Sequence, residues 1–377
     1  MIVLYDDNAI TIDGPTSISF SDDIPARRAA CGWHTQTCNG HDAASLHKAI
    51  AAARAETGKP SIISMKTVIG LGSPSKAGTA GVHGAPLGAE EAALTKATLG
   101  WTSEPFEIPT ELALEWHAIG SRGSEERQAW EQRFAAAGKE AQSEFTRRMN
   151  RELPAAFEKA VANARAALFK TPKAVATRKA SQMALEALAP ALPELIGGSA
   201  DLTGSNLTRV PAVDTQYAPN TPGRYVGYGV REFAMAAAMN GMSTHGGLIP
   251  YGGTFMVFSD YARNAIRLSA LMEVGTIYVM THDSIGLGED GPTHQPVEHM
   301  ASLRAIPNLL TFRPGDAMET LECWEIGIRS RNRPSLLALS RQGVPQLRTE
   351  AGDENLSARG AYVLRTFGDT RDVTLLA

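Results

Sequence analysis

At 377 residues the chain is long enough for two or three domains with full hydrophobic cores. Its 43% hydrophobic and 20% charged residues, with 35 Gly and 21 Pro, match an ordinary globular protein and exclude a disordered, fibrous or membrane-spanning chain. With 40 acidic against 36 basic residues the net charge is −4, so no overall basic field recruits nucleic acid or a membrane surface, and any anionic ligand must be held by local groups.

The opening run Ile2-Val3-Leu4-Tyr5 reads as a buried parallel strand, with no signal-peptide region ahead of it. A helix over 42–56, with Asp42 as N-cap and Gly58 and Pro60 as stop signals, leads into a strand over 62–65. This is the βα order of a parallel sheet. Residues 101–170 are rich in Glu, Arg, Gln and Ala at helical spacing, punctuated by Pro105, Pro109 and Pro154, and read as a helical connector that serves as scaffold. From about 171 the alternation returns: a helix over 179–188, a Gly-rich turn at Gly197-Gly198, a helix starting near Glu232 and another over 260–272. Strands over 276–280 and 309–312 follow, then a helix capped by Asp316 with Glu319 three residues on, and a strand over 336–340. The closing run Val373-Thr374-Leu375-Leu376-Ala377 is again strand-like, so both ends of the chain read as cut.

The expected architecture is α/β: two doubly wound parallel-sheet domains joined by the connector, then the start of a third α/β domain. The boundaries fall at 1–140, with the connector beginning near 101, at 141–348 and at 349–377. Three cysteines, Cys31, Cys38 and Cys323, are odd in number and lack zinc spacing, as for reduced thiols in the cytosol.

Gly286-Leu287-Gly288-Glu289-Asp290-Gly291 satisfies G-x-G-x-x-G after a strand. Pro292 and Pro296 stand where a dinucleotide-binding helix would present its N–H groups, so that reading is rejected. His282, Asp283, Ser284, Glu289, Asp290, Thr293, His294 and Gln295 nevertheless crowd one loop after a buried strand, where α/β sheets bind ligands. His282, His294 and His299 have no metal-ligand spacing and read as polar substrate contacts. Asp6-Asp7-Asn8 is either an Asx turn or a site for a hard cation. Glu232 sits at a helix N-terminus facing a buried region or else pairs with Arg231. Phe255, Phe258 and Tyr261, three residues apart, read by default as the apolar stripe of a core helix.

The order and wording of these segments closely resemble the transketolase family. The resemblance runs through nearly the whole chain. It rests on Leu4-Tyr5-Asp6-Asp7-Asn8 with Ile10 and Asp13-Gly14, on Val82-His83-Gly84-Ala85-Pro86-Leu87, and on Gly197-Gly198-Ser199-Ala200-Asp201-Leu202 with Ser205-Asn206-Leu207-Thr208. Tyr228-Gly229-Val230-Arg231-Glu232-Phe233, Thr254-Phe255, the stretch 282–296 and Ser340-Arg341-Gln342 complete it.

The resemblance implies a thiamine-diphosphate-dependent enzyme that moves a two-carbon ketol unit from a ketose phosphate to an aldose phosphate in the pentose phosphate pathway. It implies a cytoplasmic homodimer, and domains that bind the diphosphate and the pyrimidine in that order. Asn8, by its side-chain oxygen, and Ile10, by its carbonyl, resemble ligands of the Mg²⁺ or Ca²⁺ that bridges the diphosphate. Glu232 resembles the carboxyl that hydrogen-bonds the aminopyrimidine, a role that needs a proton near neutral pH and that apolar burial favours. Phe255, Phe258 and Tyr261 resemble the aromatic pocket around that ring. His83, His282 and His294 resemble substrate-channel histidines, with His83 and His294 also at the cofactor. Asp290 resembles the acid that reads hydroxyl stereochemistry, and Arg178, Ser205, His282 and Arg341 resemble a phosphate clamp. Asp201 resembles a residue ordering the cofactor-facing loop. By the same comparison the first domain should begin well upstream of Met1, so an internal fragment that is inactive and binds diphosphate poorly on its own is expected. The competing readings are a dihydroxyacetone synthase, which shares much of this wording, and a non-catalytic subunit of the same fold.

Overall fold

The apolar runs of the N-terminal part form a parallel sheet. The computed structural model describes residues 1–213, 215–216, 223–368, 370 and 373–374. It divides into two units, Met1–Arg127 and Gln128–Ala377.

In the first unit, strands β1 (Ile2–Asp7), β2 (His34–Asn39) and β3 (Ser61–Lys66) form a parallel sheet in the order β1-β3-β2. Helix α1 (Ala43–Ala55) starts where Asp42 accepts hydrogen bonds from the N–H groups of Ala44 and Ser45. Ala49 and Ala53 of α1 pack against Cys38 and Ile63 in a small core. β1 is parallel as its composition predicts, but it is not buried: Ile2 and Leu4 are exposed. The strand lies at the sheet edge, and the residues of α1 pack on β2 and β3.

The connector is helical, as its spacing predicts: α2 (Thr110–Ser121), α3 (Ser124–Ala136), α4 (Lys139–Met149) and α5 (Ala155–Lys170). Trp130, Phe134 and Phe145 join α3 to α4 with ring centroids 5.2 to 6.0 Å apart.

The second unit is built on α6 (Thr177–Leu188), β4 (Leu195–Ser199), β5 (Thr215–Gln216), β6 (Tyr225–Gly227), α7 (Glu232–His245) and β7 (Ile249–Phe255). It continues with α8 (Ser259–Leu271), β8 (Ile277–Thr281), β9 (Leu310–Phe312), α9 (Ala317–Arg329) and β10 (Ser335–Leu339). The strands form one seven-stranded parallel sheet in the order β9-β10-β8-β7-β4-β6-β5. Alternation along the central strands feeds two cores, one on each face. Ile277 and Val279 of β8 with Leu337 and Leu339 of β10 meet Leu185, Leu188, Met318 and Trp324. Tyr278, Met280, Leu336 and Ala338 meet Met235, Met239 and Ile266. Each fully buried large apolar side chain contributes about 1.5–3 kcal/mol, which makes this double layer the main stabilising element of the unit.

Two local expectations are corrected. Gly197-Gly198 is not a turn but the interior of β4. A Cβ on Gly197 would lie 1.8 Å from the Tyr251 ring, and one on Gly198 would lie 2.3 Å from the Val226 carbonyl oxygen, so close approach requires both glycines. Val373 and Thr374 form no strand, and Leu375, Leu376 and Ala377 lie outside the described residues. The Asp316 cap is as predicted: its Oδ1 accepts from the Glu319 N–H at 2.9 Å, while the Glu319 carboxylate reaches back to the Gly315 N–H.

Candidate active site

The polar side chains of the second unit collect at the C-terminal ends of its central strands, where open α/β sheets bind ligands. A cavity of about 480 Å³ is lined there by Arg178, Gly204, Ser205, Phe255, His282, Asp290, His294 and Arg341. Phe255 ends β7, His282 follows β8, Arg341 follows β10, and Gly204 and Ser205 belong to the turn after β4.

Paired hydrogen bonds position the two arginines. Thr177 and Ser340 exchange bonds, Thr177 N–H to Ser340 Oγ at 3.0 Å and Ser340 N–H to Thr177 Oγ1 at 2.7 Å, which ties the start of α6 to the end of β10. Arg178 donates one N–H to the Ser205 carbonyl at 2.8 Å, and Arg341 donates to the Leu287 carbonyl at 2.8 Å and to exposed Glu289 at 2.9 Å. Burial, and after it the neighbouring Arg341 charge, pulls the Arg178 guanidinium below its usual range, while Asp290 opposes the shift. Two cations sharing one cavity favour an anion between them.

His282 is buried, its ring centroid 3.8 Å from that of Phe255, and its backbone φ is +59°. Burial first, then the Arg178 charge, holds its pKa down to about 4. His294 stands edge-on to Phe258 at 5.2 Å, and its Nδ1 lies 2.9 Å from the Thr293 hydroxyl. The loop that matches G-x-G-x-x-G is a 3-10 turn, Ile285–Leu287, followed by turns, and the next helix begins only at His299. It offers no dinucleotide-binding helix. His299 does not line the cavity; its Nε2 lies 3.2 Å from Asp260 Oδ2.

Phe255, Phe258 and Tyr261 do not form one helical stripe. They fall on β7, on a 3-10 turn and on α8, and Phe255 stacks on Phe258 with centroids 5.7 Å apart. Tyr261 is exposed and lies 6.0 Å from Phe258. Glu232 opens α7 and is buried, and its Oε1 accepts a 3.3 Å hydrogen bond from the Thr254 hydroxyl. It does not pair with Arg231, whose guanidinium donates to the Tyr228 carbonyl. Asp201 is exposed and follows β4 in a left-handed backbone conformation, φ +62°.

Asn8, Ile10 and His83 belong to the first unit. Asn8 Oδ1 accepts from the Ile10 N–H at 2.9 Å, an Asx turn that brings the two residues together. Asp7 is held by the Ser64 hydroxyl and Lys66, and Asp6 by Thr67. His83 is exposed and ends a 3-10 turn, Ala80–Val82.

Three residues that spacing does not reveal support the site without lining the cavity: Thr254, which bonds Glu232, Thr281, whose hydroxyl lies 2.9 Å from His282 Nδ1, and Asn206, whose Oδ1 accepts from the Thr281 hydroxyl at 2.7 Å. Asn206 and Thr254 each stand beside a candidate in the quoted segments, and Thr281 directly precedes His282.

Two family models match the chain: the transketolase thiamine diphosphate binding domain over residues 1–154 and the transketolase pyrimidine binding domain over 173–346. The chain belongs to the transketolase family. It is 52% identical over its whole length to a transketolase of Rhodobacter capsulatus and 55% identical to one of Cereibacter sphaeroides. It covers 56% and 57% of those two relatives, so it spans about half the length of the curated transketolases it matches. Among solved structures, transketolase from Leishmania mexicana superposes with a TM-score of 0.88 at 43% identity, covering 98% of this chain and 55% of that one. The Pichia stipitis transketolase complex with sedoheptulose 7-phosphate gives 0.88 at 40% identity with the same coverages. The parallel α/β fold is therefore that of transketolases. No described helix is long and apolar enough to cross a membrane.

Proposed function

We propose that the chain serves thiamine-diphosphate-dependent ketol transfer between sugar phosphates, from a ketose such as xylulose 5-phosphate to an aldose such as ribose 5-phosphate or erythrose 4-phosphate. The observation that carries this reading is the convergence of Arg178 and Arg341 on a cavity that also holds His282, His294 and Asp290. Arginine forks suit a phosphate, and the imidazoles and carboxylate suit the hydroxyls of a sugar.

The residues fit the cofactor. Stacked Phe255 and Phe258 offer flat apolar faces beside His294, and buried Glu232 has one hydroxyl partner, leaving acceptor capacity for a ring nitrogen. Phe255, Phe258, Tyr261, Glu232, His294, His83 and Asp201 would hold or flank the thiamine diphosphate. When bound, it supplies the electron sink that makes cleavage beside a ketose carbonyl possible. Glu232 would hold a proton toward the pyrimidine, and His83 and His294 would donate to substrate oxygens and move protons. Asp290 would read hydroxyl configuration, and Arg178, Ser205, His282 and Arg341 would position the phosphate end. Asn8 Oδ1 and the Ile10 carbonyl are oxygen donors of the type Mg²⁺ or Ca²⁺ takes, already gathered in one turn.

In this reading the protein is a cytoplasmic homodimer of the pentose phosphate pathway. Its diphosphate-binding domain ends near 140, its pyrimidine-binding domain spans 141–348, and a further domain starts at 349. The test is ketol transfer from xylulose 5-phosphate to ribose 5-phosphate with thiamine diphosphate and Mg²⁺, by these 377 residues alone and by the chain completed to its relatives' length. Turnover by the completed chain that Glu232→Gln abolishes is expected. A completed chain without turnover, or one indifferent to the substitution, overturns the reading.

A further inference from the structure

Glu289 does not line the cavity, yet it bonds one of the cavity's two arginines. Three successive residues wrap the Arg341 guanidinium. The Leu287 carbonyl accepts from Nη1 at 2.8 Å, and Glu289 Oε1 accepts from Nη2 at 2.9 Å. Gly288 between them stands at φ +109°, where an added Cβ would crowd Nη1 at 3.3 Å. Among the described residues these bonds take two of the five guanidinium N–H groups and leave three for a ligand. The Glu289 carboxyl is held below its usual range, first by its own backbone N–H and then by the Arg341 charge, so it is ionised at neutral pH. With Asp290, which lines the cavity, it sets two carboxylates against Arg178 and Arg341, and the four formal charges cancel.

Two roles are open to such a carboxylate, and their magnitudes separate them. As a prop for Arg341 it is weak: the Glu289 side chain is 76% exposed and that of Arg341 35%, and an exposed pair holds little. The Leu287 carbonyl, with the Thr177–Ser340 exchange one residue earlier, positions the arginine without it. As a fixed negative charge beside a site for an anion, its repulsion scales with the charge of the ligand and vanishes for a neutral one. We propose that Glu289 is a resident counter-charge of the Arg341 clamp, a specificity-determining residue that lowers the affinity of the cavity for phosphate and balances the guanidinium whenever no phosphate is there. A clamp that grips every phosphate ester on the reaction path alike lowers KM without speeding the chemistry, so moderating it forfeits no rate. That the phosphate belongs to a sugar rests on the proposed function. The charge balance at Arg341 does not.

The test is calorimetric titration of these 377 residues with inorganic phosphate at low ionic strength and about pH 8, where phosphate is chiefly a dianion, with no sugar or cofactor present. Glu289→Gln should bind phosphate about 3- to 10-fold more tightly than wild type. Glu289→Ala should match it, because both remove the charge and only one keeps a hydrogen-bonding side chain. In an Arg341→Met background, where no guanidinium holds Glu289 beside the cavity, Glu289→Gln should change the affinity by less than about twofold. Unchanged affinity in Glu289→Gln overturns the proposal, and so does weakened affinity, which would make the carboxylate a prop for the fork. An equal gain in the Arg341→Met background overturns it as well, as does a failure of both wild type and Glu289→Gln to bind phosphate. Should Arg341→Met bind none, the two Glu289 variants decide. No arm measures turnover, so failure here is distinguishable from failure of the proposed activity.

Discussion

The Thr254 hydroxyl donates to Glu232 Oε1 at 3.3 Å, and it is the one hydrogen bond the Glu232 carboxylate makes among the described residues. A buried carboxylate with so little support is poorly explained as a stabilising group. Replacing it with an amide of the same shape keeps the volume and an oxygen that accepts from Thr254. Glu232→Gln is therefore expected to hold or raise the urea midpoint of this chain, by up to about 1 kcal/mol in stability. In the completed enzyme it should lower ketol transfer by about 10²–10⁴-fold, the range of a lost proton-transfer group. A loss of more than about 1 kcal/mol in stability would show instead that the carboxylate holds the fold together.

Substituting Arg341 by lysine keeps the charge and removes the fork. The bond to the Leu287 carbonyl and the planar face toward the cavity should both be lost. Steady-state kinetics of the completed enzyme should show KM for a phosphorylated donor raised about 10-fold or more, with kcat changed much less. An equal change with an unphosphorylated ketose would count against a phosphate clamp.

Acid should weaken the second unit through His282. Its folded pKa of about 4 lies below the ordinary imidazole value of 6.5, so between those values the unfolded chain binds the extra proton and the folded chain does not. Stability is unaffected above pH 6.5 and falls as pH drops toward 4, by at most about 1.4 kcal/mol per pH unit. Urea titrations across that window should be flatter in His282→Gln. Equal slopes would show that the ring is already charged in the folded protein.

Gly197→Ala tests the close approach inside β4. The added carbon meets the Tyr251 ring, whose hydroxyl donates to the Thr208 carbonyl at 2.8 Å and whose face meets Trp324 edge-on at 5.6 Å. With the ring held on both sides, the substitution should cost about 3 kcal/mol or more by denaturant unfolding. A cost below about 1 kcal/mol would mean that the ring moves aside freely.

Where local chemistry decides an element, the sequence is legible. Asp42 and Asp316 start their helices because a carboxylate satisfies free N–H groups wherever the chain turns into a helix. Gly197-Gly198 misleads because the same residue serves turns and crowded strands, and only the position of Tyr251 tells them apart. Phe255, Phe258 and Tyr261 mislead because a spacing of three spreads here over a strand, a 3-10 turn and a helix. The cavity residues could be named from their motifs, but the support beneath His282 could not. Asn206 and Thr281 are 75 positions apart, and only the sheet order that places β4 beside β7 and β7 beside β8 brings them within hydrogen-bonding distance.

The left-handed backbone at His282 bears on how this protein would respond to selection. An L-residue held at φ +59° costs about 1–2 kcal/mol relative to a relaxed conformation, and glycine escapes most of that penalty. A library varied at this position and sorted for heat resistance alone should drift toward glycine. Only sorting that also demands ligand would keep the imidazole, so the two screens should part company at residue 282.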